Sequence, residues 1–179
     1  MFARTPRLTL RPAWAEDAPA LAAALDDPAV SGTLARVPHP YRLADAEAWI
    51  ARPEERLPCA LIFLHEGGAC RLAGGVGLHD DEQGRPEIGY WVARDLWGRG
   101  IAREAGAALL AMADAALGLP WIGARHMVDN PRSGRVLAAL GFRQTGRSAG
   151  IYSLARGTVL PALSLERHRP DLPRPALAA

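Results

Sequence analysis

The segment Trp97-Gly98-Arg99-Gly100-Ile101-Ala102 joins two runs of different periodicity. Before it, Glu87 to Val92 alternates like a strand, with Glu87, Gly89 and Trp91 on one face. After it, Ile101, Ala105, Ala108, Leu109 and Met112 recur at helical spacing until Gly118 and Pro120 stop the run. A strand that turns into a helix through two glycines leaves backbone amides aimed outward. Those donors and the helix dipole together form an anion site, and glycine removes the side chains that would hold an anion off the backbone. A tight turn with no ligand is the competing reading of any single Gly-x-Gly. The segment is no P-loop, since the Lys-Ser/Thr ending is missing. It is no dinucleotide fingerprint either, since the third glycine and the later ribose-binding acid are absent.

The flanking chain predicts a small α/β domain. Leu8 to Arg11 reads as a short strand stopped by Pro12, and Glu16 and Asp17 place negative charge in the first turn of a helix that runs to Leu25 and ends before Pro28. A second helix is expected over Ala44 to Ala51, with Trp49 and Ile50 facing inward. Val37-Pro38-His39-Pro40-Tyr41 forms a shaped loop between the two. Strands are expected over Ala60 to His65, Arg71 to Leu78, Glu87 to Val92, Trp121 to Val128 and Thr158 to Leu165, with a short helix over Pro131 to Leu140 and a strand entered at Gly141-Phe142. Strands followed by a strand–helix–strand–helix–strand unit indicate an α/β (α+β) architecture with a mixed, mostly antiparallel sheet flanked by helices. One domain is expected over residues 1–166, followed by a loose proline-rich tail over 167–179.

Composition narrows the function classes. The 179 residues suffice for one core, and roughly two-thirds of the unfolded surface of such a chain is buried on folding. The 21 basic residues are all arginine and stand against 19 acids, a near balance that argues against general nucleic-acid binding. The excess is uneven: Arg94 to Arg147 holds eight arginines and four acids. Two cysteines make no disulfide framework. His39, His65, His79, His126 and His168 show no metal-ligand spacing with Cys59 or Cys70, so no metal is expected. Asp80-Asp81-Glu82 reads as a solvated turn, and Tyr90 and Trp91 as core. Met1 to Leu10 lacks the apolar core of a signal peptide, and the longest apolar stretch is amphipathic. The expectation is a cytoplasmic protein that binds neither membrane nor nucleic acid.

A second segment, Asn130-Pro131-Arg132-Ser133 leading to Leu140-Gly141-Phe142, gives the turn its context. With it the chain resembles the GCN5-related N-acetyltransferase (GNAT) superfamily, and within it the Rim-like branch that acetylates ribosomal-protein N-termini. The resemblance runs through LTLRP, AEDAPAL, DDPAV, PYRLADAEAWI, EIGYWVARDLWGRGIAREA and NPRSGRVLAALGF, from Leu8 to about Gly146. It implies a sheet whose central strands splay apart to admit acetyl-coenzyme A as co-substrate. The pyrophosphate would lie on the amides of Gly98, Arg99, Gly100, Ile101 and Ala102, with Arg103 a further cofactor-binding residue. The pantetheine arm would pair along Tyr90, Val92 and Ala93, and Asn130 would bond it or align the next helix. Trp97 stands where the superfamily usually has Gln or Arg.

Amine acetylation requires a proton acceptor, a group that polarises the carbonyl and a partner for the leaving thiolate. Glu87 matches the strand glutamate that is the base in some relatives, and a partly desolvated carboxylate has its pKa raised toward neutrality. A solvated or arginine-paired glutamate is the alternative. The Val92 N–H suits the carbonyl. Leu137 replaces the tyrosine that many relatives use as acid. The resemblance to the Rim-like branch implies Ser133, the polar group remaining on that helix, as a thiolate partner; equally, it is a helix-start hydrogen bonder. His39 and Tyr41 in the proline loop are candidates for the acceptor pocket. The expected partner is a primary amine, on a protein N-terminus or a small molecule, and a homodimer is common in such families. A catalytically weak acetyl-CoA-binding sensor of the same fold is the alternative function.

Overall fold

The structure is a computed structural model, and it describes residues 1–53 and 56–169. One eight-stranded sheet runs through the molecule in the order β1-β2-β3-β4-β5-β6-β8-β7. The strands are β1 (Ala3–Arg4), β2 (Leu8–Arg11), β3 (Cys59–Glu66), β4 (Ala69–Asp80), β5 (Pro86–Val92), β6 (Trp121–Met127), β7 (Arg143–Ser153) and β8 (Thr158–His168). The helices are α1 (Ala18–Leu25), α2 (Pro28–Ser31), α3 (Leu43–Ile50), α4 (Ile101–Ala116) and α5 (Pro131–Ala139). All neighbouring strands pair antiparallel except β5 and β6, which are parallel. The expected mixed, mostly antiparallel sheet is what forms.

The two faces of the sheet carry separate cores. On one, Ile88 and Val92 of β5 pack with Ile101, Ala105 and Leu109 of α4 and with Leu137 of α5. On the other, Leu61 and Phe63 of β3 meet Leu21 and Leu25 of α1 and Ala46 of α3. β3 is buried from Ala60 to Leu64, as an apolar run covered on both faces should be. α4 presents Ile101, Ala105, Leu109 and Ala113 inward at helical spacing.

Several local expectations change. Pro28 ends α1 but also opens α2 as its first residue, with Asp27 Oδ1 accepting from Ala29 N at 2.8 Å. Ala15 to Asp17 form a 3-10 turn ahead of α1, and Asp17 is buried against Arg11 at 2.7 and 2.8 Å rather than serving a helix dipole. The Arg11 guanidinium lies between the Trp14 and Phe63 rings, 3.8 and 3.9 Å from their centroids. Beyond Glu166, β8 takes in Arg167 and His168, and Arg167 pairs with Asp114 at 2.5 Å. That part of the expected loose tail is in the sheet, and residues 170–179 lie outside the described residues. Among the described residues no helix is long and apolar enough to cross a membrane.

A bulge in β4 sets up the site. Opposite the Ile62/Phe63 step the register shifts past Ala73, whose carbonyl accepts Ala93 N at 2.9 Å where β5 ends. Gly74 lies so close to β5 that a Cβ there would stand 2.2 Å from the Trp91 carbonyl oxygen. Gly74→Ala should therefore lower stability by about 1–3 kcal/mol, since the obstacle is backbone. Urea unfolding should show a lower midpoint at unchanged slope, and an unchanged midpoint would contradict the packing.

Candidate active site

Strands β5 and β6 share one register position, Glu87 opposite Gly123, and then part. Ala93 N is spent on Ala73 of β4. Strand alternation therefore turns the main-chain groups of Tyr90 and Val92 toward the gap. The gap belongs to a groove of about 1970 Å³. Its walls include Tyr90, Val92, Gly98 and Gly100 along one stretch, Asn130 and Ser133 across from them, and His79, Glu87 and Arg125.

Both glycines of the turn are left-handed. Gly98 and Gly100 hold φ of +78° and +76°, which side-chain-bearing residues rarely adopt, and a Cβ on Gly98 would meet nothing within 4 Å. Gly100 caps α4, and its carbonyl accepts Glu104 N at 3.0 Å. The amides of Ile101, Ala102 and Arg103 thus emerge at the helix end without helical acceptors. Trp97 is tied down from both sides. Its indole Nε1 donates to the Val92 carbonyl at 2.7 Å, and the Arg132 guanidinium lies 5.2 Å from its ring centroid.

That indole bond limits which main-chain groups β5 has left to offer. The Val92 carbonyl is already taken by Trp97 and the Ala93 amide by Ala73. What β5 still presents to the gap is the Val92 N–H and the main chain of Tyr90.

The N-terminal segment completes the turn, which nothing in the local sequence pattern revealed. Glu104, in the first turn of α4, is held by Thr5 Oγ1 at 2.6 Å, Arg7 N at 3.1 Å, Arg7 Nε at 2.8 Å and Arg7 Nη2 at 2.7 Å. Arg7 Nη1 also donates to the Arg99 carbonyl at 3.1 Å. These bonds hold the Glu104 carboxylate below its ordinary pKa: burial pushes it up, and the donors from Thr5 and Arg7 outweigh burial. Its charge at the start of α4 is thereby offset by Arg7. A side pocket behind the turn gathers Arg4, Arg7, Arg99 and Arg103, while Arg99 also pairs with Glu66.

On the far wall, Asn130 caps α5, its Oδ1 accepting from Ser133 N at 3.3 Å. Ser133 makes the contact that spans the gap. Tyr90 of β5 places its hydroxyl 2.8 Å from Ser133 Oγ and donates to the Ser133 carbonyl at 3.0 Å. Burial pushes the Tyr90 hydroxyl up to about 12, with the Ser133 bond pulling the other way. It stays protonated at any working pH. Tyr90 is thus a groove residue as well as a core one.

Glu87 is 7% exposed and fully engaged. Arg125 of β6 donates to it twice, Nε to Oε1 at 2.8 Å and Nη2 to Oε2 at 3.0 Å, and His79 of β4 brings Nε2 to 3.5 Å from Oε2. Arg125 also reaches Glu82 in the turn before β5 at 3.3 Å. Burial is the strongest single influence and pushes the Glu87 pKa up, yet the His79 and Arg125 bonds and the Arg125 charge hold it below the ordinary value of 4.5. The expected rise toward neutrality is therefore reversed, and the arginine-paired alternative describes this residue. Of the loop candidates, Tyr41 is buried in the groove wall, with its backbone N–H on Asp26 Oδ1 at 2.8 Å. His39 is exposed, 3.7 Å from Asp26 and outside the groove lining. Among the described residues no group of three or more His, Cys, Asp or Glu is arranged to hold a metal.

Because the folded pKa of Glu87 is depressed, its pairing adds stability that is present above the unfolded carboxylate pKa and lost as pH falls through the folded value. Glu87→Gln should therefore be less stable than the parent at pH 7, and the difference should shrink toward about pH 3. Urea titrations across that range measure it, and a pH-independent difference would contradict the assignment.

Residues 7–143 match the family model described as an acetyltransferase (GNAT) domain. The chain is 29% identical over 168 residues to "Uncharacterized N-acetyltransferase p20" of Bacillus licheniformis, covering 87% of this chain and 89% of that protein. It is 33% identical over 93 residues to "Putative ribosomal N-acetyltransferase YdaF" of Bacillus subtilis strain 168, covering 50% of this chain and 49% of that one. Among solved structures, the microcin C7 self-immunity acetyltransferase MccE in complex with acetyl-CoA and AMP superposes with a TM-score of 0.75 at 17% identity, over 92% of this chain and 94% of that one. A parted β5/β6 junction, a glycine turn at the α4 end and a match through most of the chain agree: this protein belongs to the GNAT acetyltransferase family, whose reaction is acetyl transfer from acetyl-CoA.

Proposed function

We propose that this chain is an acetyl-CoA-dependent N-acetyltransferase that passes the acetyl group directly to a primary amine, on a protein N-terminus or a small molecule. The observation that carries the reading is the groove itself. It joins bare amides at a positive helix end to a polar cluster of His79, Glu87 and Arg125 along the open edge of β5. The names of the two Bacillus relatives, both N-acetyltransferases, support an amine acceptor.

The residues fit a ligand with a pyrophosphate at one end. The positive φ of Gly98 and Gly100 keeps the space over the amides clear, and Arg103 and Arg99 stand at its edge. Bound there, acetyl-CoA supplies an acyl group activated on sulfur. The Val92 N–H, turned into the gap, is positioned to polarise the acyl carbonyl. Ser133 Oγ shares its hydrogen bond with Tyr90, whose own proton serves the Ser133 carbonyl. Ser133 Oγ is then the donor to Tyr90, and breaking that bond frees its one proton to donate to a developing thiolate. Arg132 and Asn130 fix α5 against the turn and hold Ser133 in place. Tyr41 and Trp49 wall the region where an acceptor enters. A cytoplasmic location and a homodimer belong to the same proposal.

Mixing the protein with acetyl-CoA and a panel of peptides and small amines should release free thiol and yield an acetylated amine by mass spectrometry. Thiol release that no amine accelerates would overturn the amine reading. Gly100→Val should weaken acetyl-CoA binding, measured by calorimetry, by about tenfold or more, from roughly 1–3 kcal/mol of strain at a left-handed position. Undiminished affinity would place the pyrophosphate elsewhere.

A further inference from the structure

We propose that His79 is the proton acceptor for the incoming amine and that Glu87 is the carboxylate that fixes its tautomer. This rests on the amine-acetylation reading and deepens it.

His79 stands directly opposite Glu87 in the β4/β5 register. Its Nε2 faces Glu87 Oε2 at 3.5 Å. A carboxylate there favours the proton on Nε2 and leaves the Nδ1 lone pair free. The ring lies over Gly89, where a Cβ would come within 3.2 Å of Cε1 and 3.4 Å of Nδ1. The glycine thus makes room for the imidazole in the middle of a strand pair. The His79 side chain is 30% exposed, and it lines the groove on the face it shares with Glu87, Gly89 and Trp91. Nδ1 has no hydrogen-bond partner among the described residues, and the residue is part of the groove wall.

Glu87 is poorly placed to take the proton itself. Both of its oxygens accept from Arg125, and that pairing stabilises the anion and reduces its proton affinity. Imidazole is the side chain whose proton affinity lies nearest neutral pH, the condition a general base needs. The other charged groups facing this region are already engaged. Arg125 of β6 bridges Glu87 and Glu82, while Asp80, next along β4, holds Arg56 at 2.8 Å and receives Arg36 on its carbonyl at 3.4 Å. In the reaction the amine attacks as its neutral form. Its lone pair forms the C–N bond and the surplus proton passes from nitrogen to His79 Nδ1. The C–S bond breaks with its electron pair on sulfur, so coenzyme A leaves as the thiolate and takes up a proton from solvent. His79 then returns its proton to water.

The full-length protein, His79→Gln and His79→Ala should be compared with an amine from the panel above. His79→Gln should lower kcat by about 100-fold with unchanged acetyl-CoA affinity, and the acidic limb of the kcat/KM profile should disappear. Added imidazole should partly restore His79→Ala. Nitrogen-15 spectra of the unaltered protein should show a protonated Nε2 and a bare Nδ1 at neutral pH, a readout that needs neither an acceptor nor a variant that folds. A protonated Nδ1, or a His79→Gln variant that keeps the parent rate and acidic limb, overturns the assignment while leaving amine acetylation standing. An unaltered protein that acetylates no amine overturns both.

Discussion

The single register position shared by β5 and β6 is what the rest of the site depends on. Two parallel strands that continued side by side would close their main-chain groups on each other and leave no edge to offer. Here Gly123 permits close approach: a Cβ on it would meet the Trp121 ring at 3.2 Å and the Pro86 carbonyl at 3.6 Å. Two residues on, Arg125 reaches back across the junction and grips Glu87 with both forks. The buried ion pair therefore pins the strands where they separate, and the bulge at Ala73 draws the end of β5 toward β4. Farther along, the Tyr90 hydroxyl on Ser133 spans the opening without closing the backbone edge.

At the other end the fold resolves an electrostatic conflict. α4 begins with amides and a dipole suited to a phosphate, yet its first turn carries Glu104. A free carboxylate there would compete with the ligand. Thr5 and Arg7 take up both of its oxygens, and Arg7 reaches on to the Arg99 carbonyl. The N-terminal segment is therefore bonded to the glycine turn and to the first turn of α4. The local excess of arginine over acid between Arg94 and Arg147 is supplemented by Arg4 and Arg7 from a distant part of the chain.

The polar end shows how one contact reassigns roles. Burial alone would make Glu87 a carboxyl of raised pKa, the usual description of a catalytic base. Arg125 and His79 reverse that direction and hold the carboxylate as an anion. Trp97 is a parallel case. Read along the chain it is a departure at the turn's first position, whereas in the fold its indole occupies the Val92 carbonyl and its ring supports Arg132.

The sequence by itself determined what periodicity and backbone chemistry encode within a few residues. The buried β3, the amphipathic α4 and the glycine turn at its start were legible, because each is written in residues close together in the chain. The short β1 and α2 were not, since a two-residue strand and a helix opened by Pro28 carry almost no period of their own. Only the tertiary structure decided the partners: Arg125 on Glu87 across 38 residues, Arg7 on Glu104 across 97, and Tyr90 on Ser133 across 43. Long-range pairing depends on how strands register and where they part, and no local pattern records that. The sequence therefore determined the glycine cradle, and the fold decided which charges around it are free to act.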